Sequence, residues 1–178
     1  MYIGIYGGSF NPIHFGHIGL ARYVAEHTPL DAVWLMVTPN NPLKPESVLA
    51  PENERLEAAR QAIADSLKEQ PLAGGKQILV SDFEFSLPRP NYTAQTLRCL
   101  RQAYPDDRFA LIIGEDNWQI FNRWRNRQEI LDHTSIFIYP RKTNRPDNGT
   151  ADLFLPENAV FLKDAPHFDI SSTQLRLR

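Results

Sequence analysis

The amino-acid sequence predicts an α/β fold, with a mostly parallel sheet of about six strands and helices on both faces. Three observations predict it. Apolar, β-prone runs alternate with helical stretches along the whole chain, which is the pattern of strand–helix–strand units. No internal repeat or low-complexity tract divides the sequence. The length of 178 residues suits one domain, so we expect a single domain over residues 1–178.

The first elements follow from local patterns near the N-terminus. Residues 2–6 form a short apolar, β-prone strand that meets two glycines, and residues 18–26 place apolar side chains on one helical face. Residues 32–38 are apolar and indicate a buried strand. Residues 40–51 are rich in proline, so they predict a loop. Residues 52–69 repeat apolar side chains at the helical period and predict an amphipathic helix.

The middle of the chain predicts two further strands around one helix. Residues 78–81 are the third strand, and residues 109–113 are the fourth, which ends at a glycine. The prolines of residues 88–90 exclude regular structure there. Asn91 is a residue type that caps helices, so we expect it to cap a helix over residues 92–104.

The C-terminal third predicts short elements and one last helix. Residues 117–132 indicate one or two short helices, while residues 135–139 and 160–162 indicate the fifth and sixth strands. Residues 140–149 contain proline and asparagine and predict a mobile loop rather than a domain linker. Ser171 opens a final helix, because residues 171–174 fit the capping box of serine followed three positions later by glutamine. The elements together predict a Rossmann-like domain, which binds ligands where the strand order reverses.

Composition excludes several classes of protein. Nineteen Lys and Arg against 21 Asp and Glu give a net charge of −2, so neither nucleic acid nor an anionic membrane is an expected partner. A single cysteine, Cys99, can form neither an internal disulfide nor a multi-thiolate metal site. The N-terminus lacks the pattern of a signal peptide, and no apolar run approaches the length that spans a bilayer. We therefore expect a cytoplasmic protein.

The most informative segment is the loop between the first strand and the first helix. Two glycines, Gly7 and Gly8, end the strand and allow backbone amides to approach a bound group closely. The following helix N-terminus favours an anion, so the segment predicts a phosphate site. The spacing of the glycines matches neither the dinucleotide fingerprint nor the Walker loop.

Two histidines, His14 and His17, follow these glycines at a spacing that places them on one helical face. They could be structural histidines, or a metal pair, although no cysteine or carboxylate stands near them at ligand spacing. The adjacent glycines favour a third interpretation, in which both histidines face a bound phosphate.

Two motifs near the chain ends resemble those of the nucleotidyltransferase superfamily. Residues 14–17 match its His-x-Gly-His signature, and residues 170–176 match its Ile-Ser-Ser-Thr-x-x-Arg signature. Three further stretches resemble the bacterial nicotinate mononucleotide adenylyltransferases: residues 90–97, residues 112–116 with the downstream Trp124, and residues 39–44. The resemblance covers essentially the whole chain.

The resemblance implies adenylyl transfer from ATP to nicotinate mononucleotide, giving nicotinate adenine dinucleotide and pyrophosphate. The acceptor phosphate is already mostly dianionic at pH 7, so it can attack the α-phosphate in line, with no protein base and no covalent intermediate. The protein then has to align the reactants and neutralise charge. Mg²⁺ is implied as a cofactor, bound mainly through the ATP phosphates. The family also allows a homo-oligomer.

The resemblance assigns residues to each part of this reaction. The catalytic residues are His14, His17, Lys44 and Arg176. The ATP-binding residues are Gly7, Gly8, Ser9, Phe10, His14, Gly16, His17, Ile170, Ser171, Ser172, Thr173 and Arg176. The acceptor-binding residues are Ser9, Phe10, Asn40, Lys44, Tyr92, Thr93, Gly114, Asp116, Trp124 and Arg125. None is assigned to a metal.

The acceptor roles have alternatives in the sequence. Trp124 would stack on the pyridine ring, but it could also be a core residue, and Trp118 competes for the same role. Thr93 would bind the nicotinate end, or it could only begin a helix. Arg125 or Arg127 would lie near the acceptor carboxylate, or both could belong to a solvated face.

Several positions depart from the family pattern. Asn11 stands where many relatives have aspartate, and Asn91 replaces a more usual serine. Arg141 precedes lysine where relatives often have Arg-Pro-Gly, which puts its role in doubt. Relatives usually continue beyond the position of Arg178, so we expect a shortened last helix.

Two other functions compete with this one. Phosphopantetheine adenylyltransferase shares both signatures, but the segment at Tyr92 and Thr93 and the tryptophan Trp124 argue against it. A non-catalytic nucleotide-binding module is the alternative from another class, and the intact His14 and Arg176 argue against that.

Overall fold

The computed structural model describes residues 1–39, 49–141 and 155–167. Within these ranges six parallel strands form one sheet. The strands are β1 (Tyr2–Gly8), β2 (Ala32–Val37), β3 (Gln77–Ser81), β4 (Arg108–Gly114), β5 (Ser135–Tyr139) and β6 (Ala159–Phe161). Their spatial order is β3-β2-β1-β4-β5-β6. The predicted sheet of about six parallel strands is therefore confirmed.

The helices alternate with these strands. They are α1 (Phe15–His27), α2 (Glu52–Glu69), α3 (Thr93–Ala103), α4 (Glu115–Gln119) and α5 (Arg127–His133). Short 3-10 turns cover Ala73–Gly75, Phe83–Ser86 and Phe121–Arg123. In the described part of the chain, no helix is both long enough and apolar enough to cross a membrane.

Two hydrophobic clusters, one on each face of the sheet, hold the helices in place. Successive residues of β1 contribute to different clusters: Ile5 belongs to one and Tyr6 to the other, as expected for side chains that point to opposite faces of a strand. The cluster of Tyr6 contains buried residues of α1 and α2, while the cluster of Ile5 contains those of α3 and α5. Helices therefore cover both faces of the sheet, as predicted.

The strand order reverses at β1. This strand pairs with β2 on one side and with β4 on the other, so the connections from β1 and β4 leave towards opposite directions along the sheet. A crevice forms beyond the carboxyl ends of two such strands, and ligands of parallel α/β sheets bind there. The glycine loop, which consists of Gly7 and Gly8 at the end of β1 and the turn of residues 9–14 that leads into α1, lies at this position.

Two local predictions were wrong. The first helix begins at Phe15 rather than at residue 18, because the side chain of His14 caps it. Asn91 does not cap α3: the N-cap is Tyr92, and its side chain makes no capping hydrogen bond. The Asn91 amide instead donates to the carbonyl oxygens of Glu84 and Pro88, at 3.3 and 3.4 Å. The predicted last helix lies outside the described residues.

Candidate active site

The glycine loop after β1 presents open backbone at the crevice. A Cβ built on Gly7 would meet no atom within 4 Å, so the backbone there is free for close approach by a ligand. Phe10 adopts a left-handed φ of 46°, which is uncommon for a residue other than glycine. The residue as a whole is only 2% exposed, so its side chain is packed inside the protein, and its predicted binding role stays a prediction.

The buried guanidinium of Arg55 anchors this loop through hydrogen bonds to backbone carbonyl oxygens. Arg55 on α2 is 2% exposed. It donates to the carbonyl oxygens of Ser9 at 2.7 Å, Thr38 at 2.8 Å and Ala50 at 2.9 Å. The loop is thereby tied to the end of β2 and to the segment that leads into α2. Sequence analysis missed Arg55, although a cation beside the apolar stripe of α2 was a signal.

The two histidines form the start of α1. The Nδ1 atom of His14 accepts a hydrogen bond from the backbone amide of Gly16 at 3.0 Å, and Nδ1 of His17 accepts one from the amide of His14 at 3.2 Å. This is a reciprocal capping box. The two rings stack with centroids 3.8 Å apart. Gly16, predicted to bind ATP, is buried and serves this cap.

The capping bonds determine where the histidine protons lie. Because Nδ1 accepts in both rings, each neutral imidazole carries its proton on Nε2. Burial lowers the pKa of His14, and Arg141 lowers it further. Burial, His14 and Arg141 lower the pKa of His17 to about 3. Both rings are therefore neutral at pH 7, and each has an Nε2–H donor for an anion.

Aromatic side chains fix the orientation of the His17 ring. Phe10 packs edge-on against it at a centroid distance of 4.9 Å. Tyr6 contacts Phe10 at 5.6 Å and Tyr139 at 5.9 Å. Since these rings are buried, the His17 ring is held in one orientation before any ligand binds, as charge-stabilising groups require.

Arg141 brings a positive charge to the same place. It stands two residues after the end of β5, and its guanidinium lies 3.8 Å from the carboxylate of Asp116. Gly114 permits this packing, because a Cβ there would stand 2.6 Å from the Arg141 side chain. Its positive charge also acts on both histidines and lowers their pKa values. The structure thus brings together a residue whose role the sequence left in doubt and the histidine pair.

For the adenylyl transfer that the sequence resemblance implies, Arg141→Gln is expected to lower kcat/KM roughly tenfold or more, since a charge-assisted hydrogen bond is worth about 1.5–3 kcal/mol. The pKa values of both histidines should also rise, because the guanidinium lowers them. Pyrophosphate release and a histidine NMR titration are the measurements. Arg108→Gln is the matched control, because Arg108 begins β4 at the opposite end of the sheet. Equal losses in both variants would contradict a role at the site.

A cavity of about 200 Å³ opens beside the glycine loop. Gly7 and Gly8 line one side of it, and Thr93 and Trp124 line another. Trp118 is not among its described lining residues and stacks instead on Phe121, with centroids 5.1 Å apart. Of the two tryptophans proposed from sequence, Trp124 is therefore the one at the cavity.

Some other predicted residues are absent from the described lining of the cavity, and others lie outside the described ranges. The guanidinium of Arg125 lies over the ring of Tyr92 at 4.8 Å, and Arg127 donates to the Asn122 carbonyl. Neither arginine is among the described residues that line the cavity, so their proximity to an acceptor carboxylate stays a prediction. The predicted residues outside the described ranges are Asn40, Lys44, Ile170, Ser171, Ser172, Thr173 and Arg176.

Comparison with known proteins assigns the family. A family model described as cytidylyltransferase-like matches residues 5–178. A curated protein of Bacteroides fragilis (strain YCH46), named "Probable nicotinate-nucleotide adenylyltransferase", is 46% identical over 173 residues, which cover 97% of this chain and 79% of the relative. A protein of the same name from Flavobacterium johnsoniae is 41% identical over 176 residues, which cover 99% of this chain and 85% of the relative.

A solved structure shares the fold. Plasmodium falciparum nicotinic acid mononucleotide adenylyltransferase complexed with NaAD matches with a TM-score of 0.73 at 18% identity, covering 99% of this chain and 82% of that chain. The similarity in fold agrees with the sheet described above, and the curated relatives supply the sequence similarity. The chain therefore belongs to the cytidylyltransferase-like family and, within it, to the nicotinate-nucleotide adenylyltransferases.

Proposed function

We propose that this protein transfers the adenylyl group of ATP to nicotinate mononucleotide, producing nicotinate adenine dinucleotide and pyrophosphate. One observation carries the proposal: Thr93 and Trp124 line a cavity that also reaches the glycine loop, beside the two capped histidines. A site for a ring with an anionic substituent thereby adjoins a site for phosphates. The names of the curated relatives support the same reaction.

The cavity fits the chemistry of the acceptor. Thr93 is the first residue of α3, and no side chain caps that helix, so its first amides are available to a carboxylate. Trp124 can stack on the cationic pyridinium ring, which favours binding by roughly 0.5–2 kcal/mol. The acid end of nicotinate would then lie at α3 and its ring on the indole.

The histidine pair fits the chemistry of the phosphates. The acceptor phosphate is a dianion at neutral pH, so it needs no general base. What the transfer needs is a set of fixed donors where charge develops on the attacked α-phosphate and on the leaving pyrophosphate. The Nε2–H groups of His14 and His17, the cation of Arg141 and the open backbone of Gly7 provide such donors.

The remaining partners of the reaction stay predictions. Lys44 and Arg176, which the resemblance assigns to the ATP phosphates, lie outside the described ranges. The described residues contain no cluster of three or more potential metal ligands, so we propose that Mg²⁺ enters with ATP as part of the substrate, coordinated by phosphate oxygens and water. The homo-oligomer and the cytoplasmic location also belong to the proposal.

The test of the proposal is pyrophosphate release from Mg·ATP with three acceptors: nicotinate mononucleotide, nicotinamide mononucleotide and phosphopantetheine. Release with the first, or a strong preference for it, is the expected result. Release with phosphopantetheine alone would replace the proposed acceptor. No release with any acceptor, combined with tight ATP binding, would favour a non-catalytic nucleotide-binding protein.

Trp124→Ala is expected to raise the KM for nicotinate mononucleotide by roughly 2- to 30-fold, which corresponds to the loss of the stacking energy, and to leave the KM for ATP nearly unchanged. Steady-state kinetics with each substrate varied in turn measures both. Trp118→Ala is the matched control, because it removes an indole that packs on the same Phe121. If the control raised the acceptor KM equally, the effect would come from packing.

A further inference from the structure

One buried carboxyl group of the cavity has no role in the chemistry above. Glu84 lies in the 3-10 turn Phe83–Ser86, and only 8% of it is exposed. It lines the same cavity as Thr93 and Trp124. Within the described ranges its carboxylate makes no hydrogen bond or ion pair, and the contact from Asn91 goes to its backbone carbonyl. Its oxygens are not among the fully enclosed unpaired atoms of the described residues, so the carboxyl reaches the open space of the cavity. Since buried polar groups are normally paired, a ligand in the cavity is a suitable partner for it.

The surroundings of Glu84 allow both protonation states near neutral pH. Burial raises its pKa to about 7. Tyr139 is the other ionisable group among the described lining residues, and burial raises its pKa too, so it stays neutral. Several charged side chains on the neighbouring elements are paired with one another, as Arg60–Asp82, Arg89–Glu52, Arg98–Glu129 and Arg141–Asp116. The guanidinium of Arg125, next to Trp124, lies over the ring of Tyr92.

The two states of Glu84 would prefer different acceptors. A nicotinate carboxylate can only accept hydrogen bonds, whereas a nicotinamide amide group also donates. A protonated Glu84 can donate a hydrogen bond to the acid. An ionised Glu84 repels the acid and can accept a hydrogen bond from the amide.

We propose that Glu84 determines the preference of the cavity for an acid over an amide acceptor, by retaining or taking up a proton when the acid binds. The inference rests on the proposed function, because it takes this cavity as the acceptor site. It goes further in making acceptor choice depend on pH. The proton comes from solvent and returns there when the product leaves, so the overall reaction is unchanged.

The test compares kcat/KM for nicotinate mononucleotide with kcat/KM for nicotinamide mononucleotide across a range of pH. Both acceptors carry the same phosphate, so its ionisation largely cancels in the ratio. For the unmodified enzyme the acid-to-amide ratio should fall roughly tenfold or more between about pH 6 and about pH 8.5, as the carboxyl ionises. For Glu84→Gln, which cannot ionise, the ratio should stay constant.

Glu57→Gln is the matched control, because Glu57 is an exposed glutamate on α2, outside the described cavity lining, and it should retain the slope of the unmodified enzyme. A ratio that does not vary with pH in the unmodified enzyme, or that varies equally in Glu84→Gln, would overturn the inference and leave the proposed function intact. Failure of the unmodified enzyme to use either acceptor would overturn the proposed function itself.

A second measurement does not depend on the variant folding. Calorimetric titration of nicotinate mononucleotide into the unmodified enzyme, at about pH 7.5 in two buffers of different ionisation enthalpy, reports the protons taken up on binding. We expect net uptake for the acid and none for the amide, with a non-reactive ATP analogue present. The absence of any uptake with the acid would contradict the proposal.

The stability of Glu84→Gln gives an independent check of the protonation. The pKa of Glu84 is raised in the folded state, so the unmodified enzyme loses stability as pH rises from the ordinary range of a glutamate to about 7. Across that pH interval, the melting temperature of Glu84→Gln should rise relative to that of the unmodified enzyme. A purely structural carboxyl would produce this change in stability without any change in the acid-to-amide ratio.

Discussion

Replacing His17 by alanine is expected to lower kcat by a factor on the order of 10²–10³, the cost of removing one preorganised donor from a developing oxyanion. The KM for the acceptor should change far less. The His17 ring is held by Phe10 and by its bond to the His14 amide, so its Nε2–H is aligned before substrate binds. Its contribution grows as charge develops on the phosphates. Steady-state kinetics separates the two parameters.

His17→Gln distinguishes this loss from damage to the helix. A glutamine at this position of a capping box can accept the hydrogen bond from the N-cap amide, so the start of α1 and the melting temperature should be preserved. We still expect kcat to fall, because the imidazole Nε2–H is gone. His27→Ala, at the other end of α1, should leave both parameters unchanged. Equal factors in kcat and in acceptor KM for His17→Ala would indicate ordinary ground-state binding instead.

The pH dependence follows from the same geometry. With a pKa of about 3, His17 remains neutral across the working range and cannot act as an acid that loses its proton near neutrality. A decline in activity on the acidic side should instead track the acceptor phosphate, whose second pKa is near 6. If the decline in activity at acidic pH disappeared in His17→Gln, it would report His17 rather than the acceptor phosphate, which would contradict this prediction.

Sequence patterns predicted the strands and most helices because those elements depend on local hydrophobic periodicity. All six strands of the described sheet lie within a few residues of their predicted positions. The errors occurred where a tertiary contact decides the outcome. Asn91 is a residue type that caps helices, but its side-chain amide donates to the carbonyl oxygen of Glu84 on the preceding turn. It therefore does not cap α3.

Only those residues of the site that belong to a sequence motif could be predicted. The spacing of His14 and His17 predicted a shared face, and the structure adds the reciprocal caps that place both protons on Nε2. Arg55 and Glu84 were missed, because charged residues are normally exposed. The position of Arg55 beside the apolar stripe of α2 was a weak local signal, and no local pattern marks Glu84 as buried. Both are buried by residues distant in sequence, which no short pattern contains.

Arg55→Met is expected to lower the free energy of unfolding by about 3–5 kcal/mol. The thioether fills part of the apolar volume but donates no hydrogen bond, so three carbonyl oxygens lose their partner. Leaving a buried polar group unsatisfied costs about 1–3 kcal/mol. The lower part of that range applies to each of the three oxygens, because Ser9, Thr38 and Ala50 are only half-buried. Chemical denaturation monitored by circular dichroism measures the change. Arg55→Lys keeps a charge and at least one donor, so its free energy of unfolding should lie between those of the unmodified protein and of Arg55→Met.

Arg22→Met is the matched control for this prediction. Arg22 also donates to a backbone carbonyl, that of Gln70, and to the Ser66 hydroxyl, but it is distant from the glycine loop and its contact with Gln70 is exposed. Replacing Arg22 should lower the free energy of unfolding by less than about 1 kcal/mol and leave the KM for ATP unchanged.

Because Arg55 holds the carbonyl of Ser9, Arg55→Met should raise the KM for ATP at temperatures where the variant is still fully folded. Equal costs in the two variants would mean that the three carbonyls find other partners, and that the loop does not depend on Arg55 for its position.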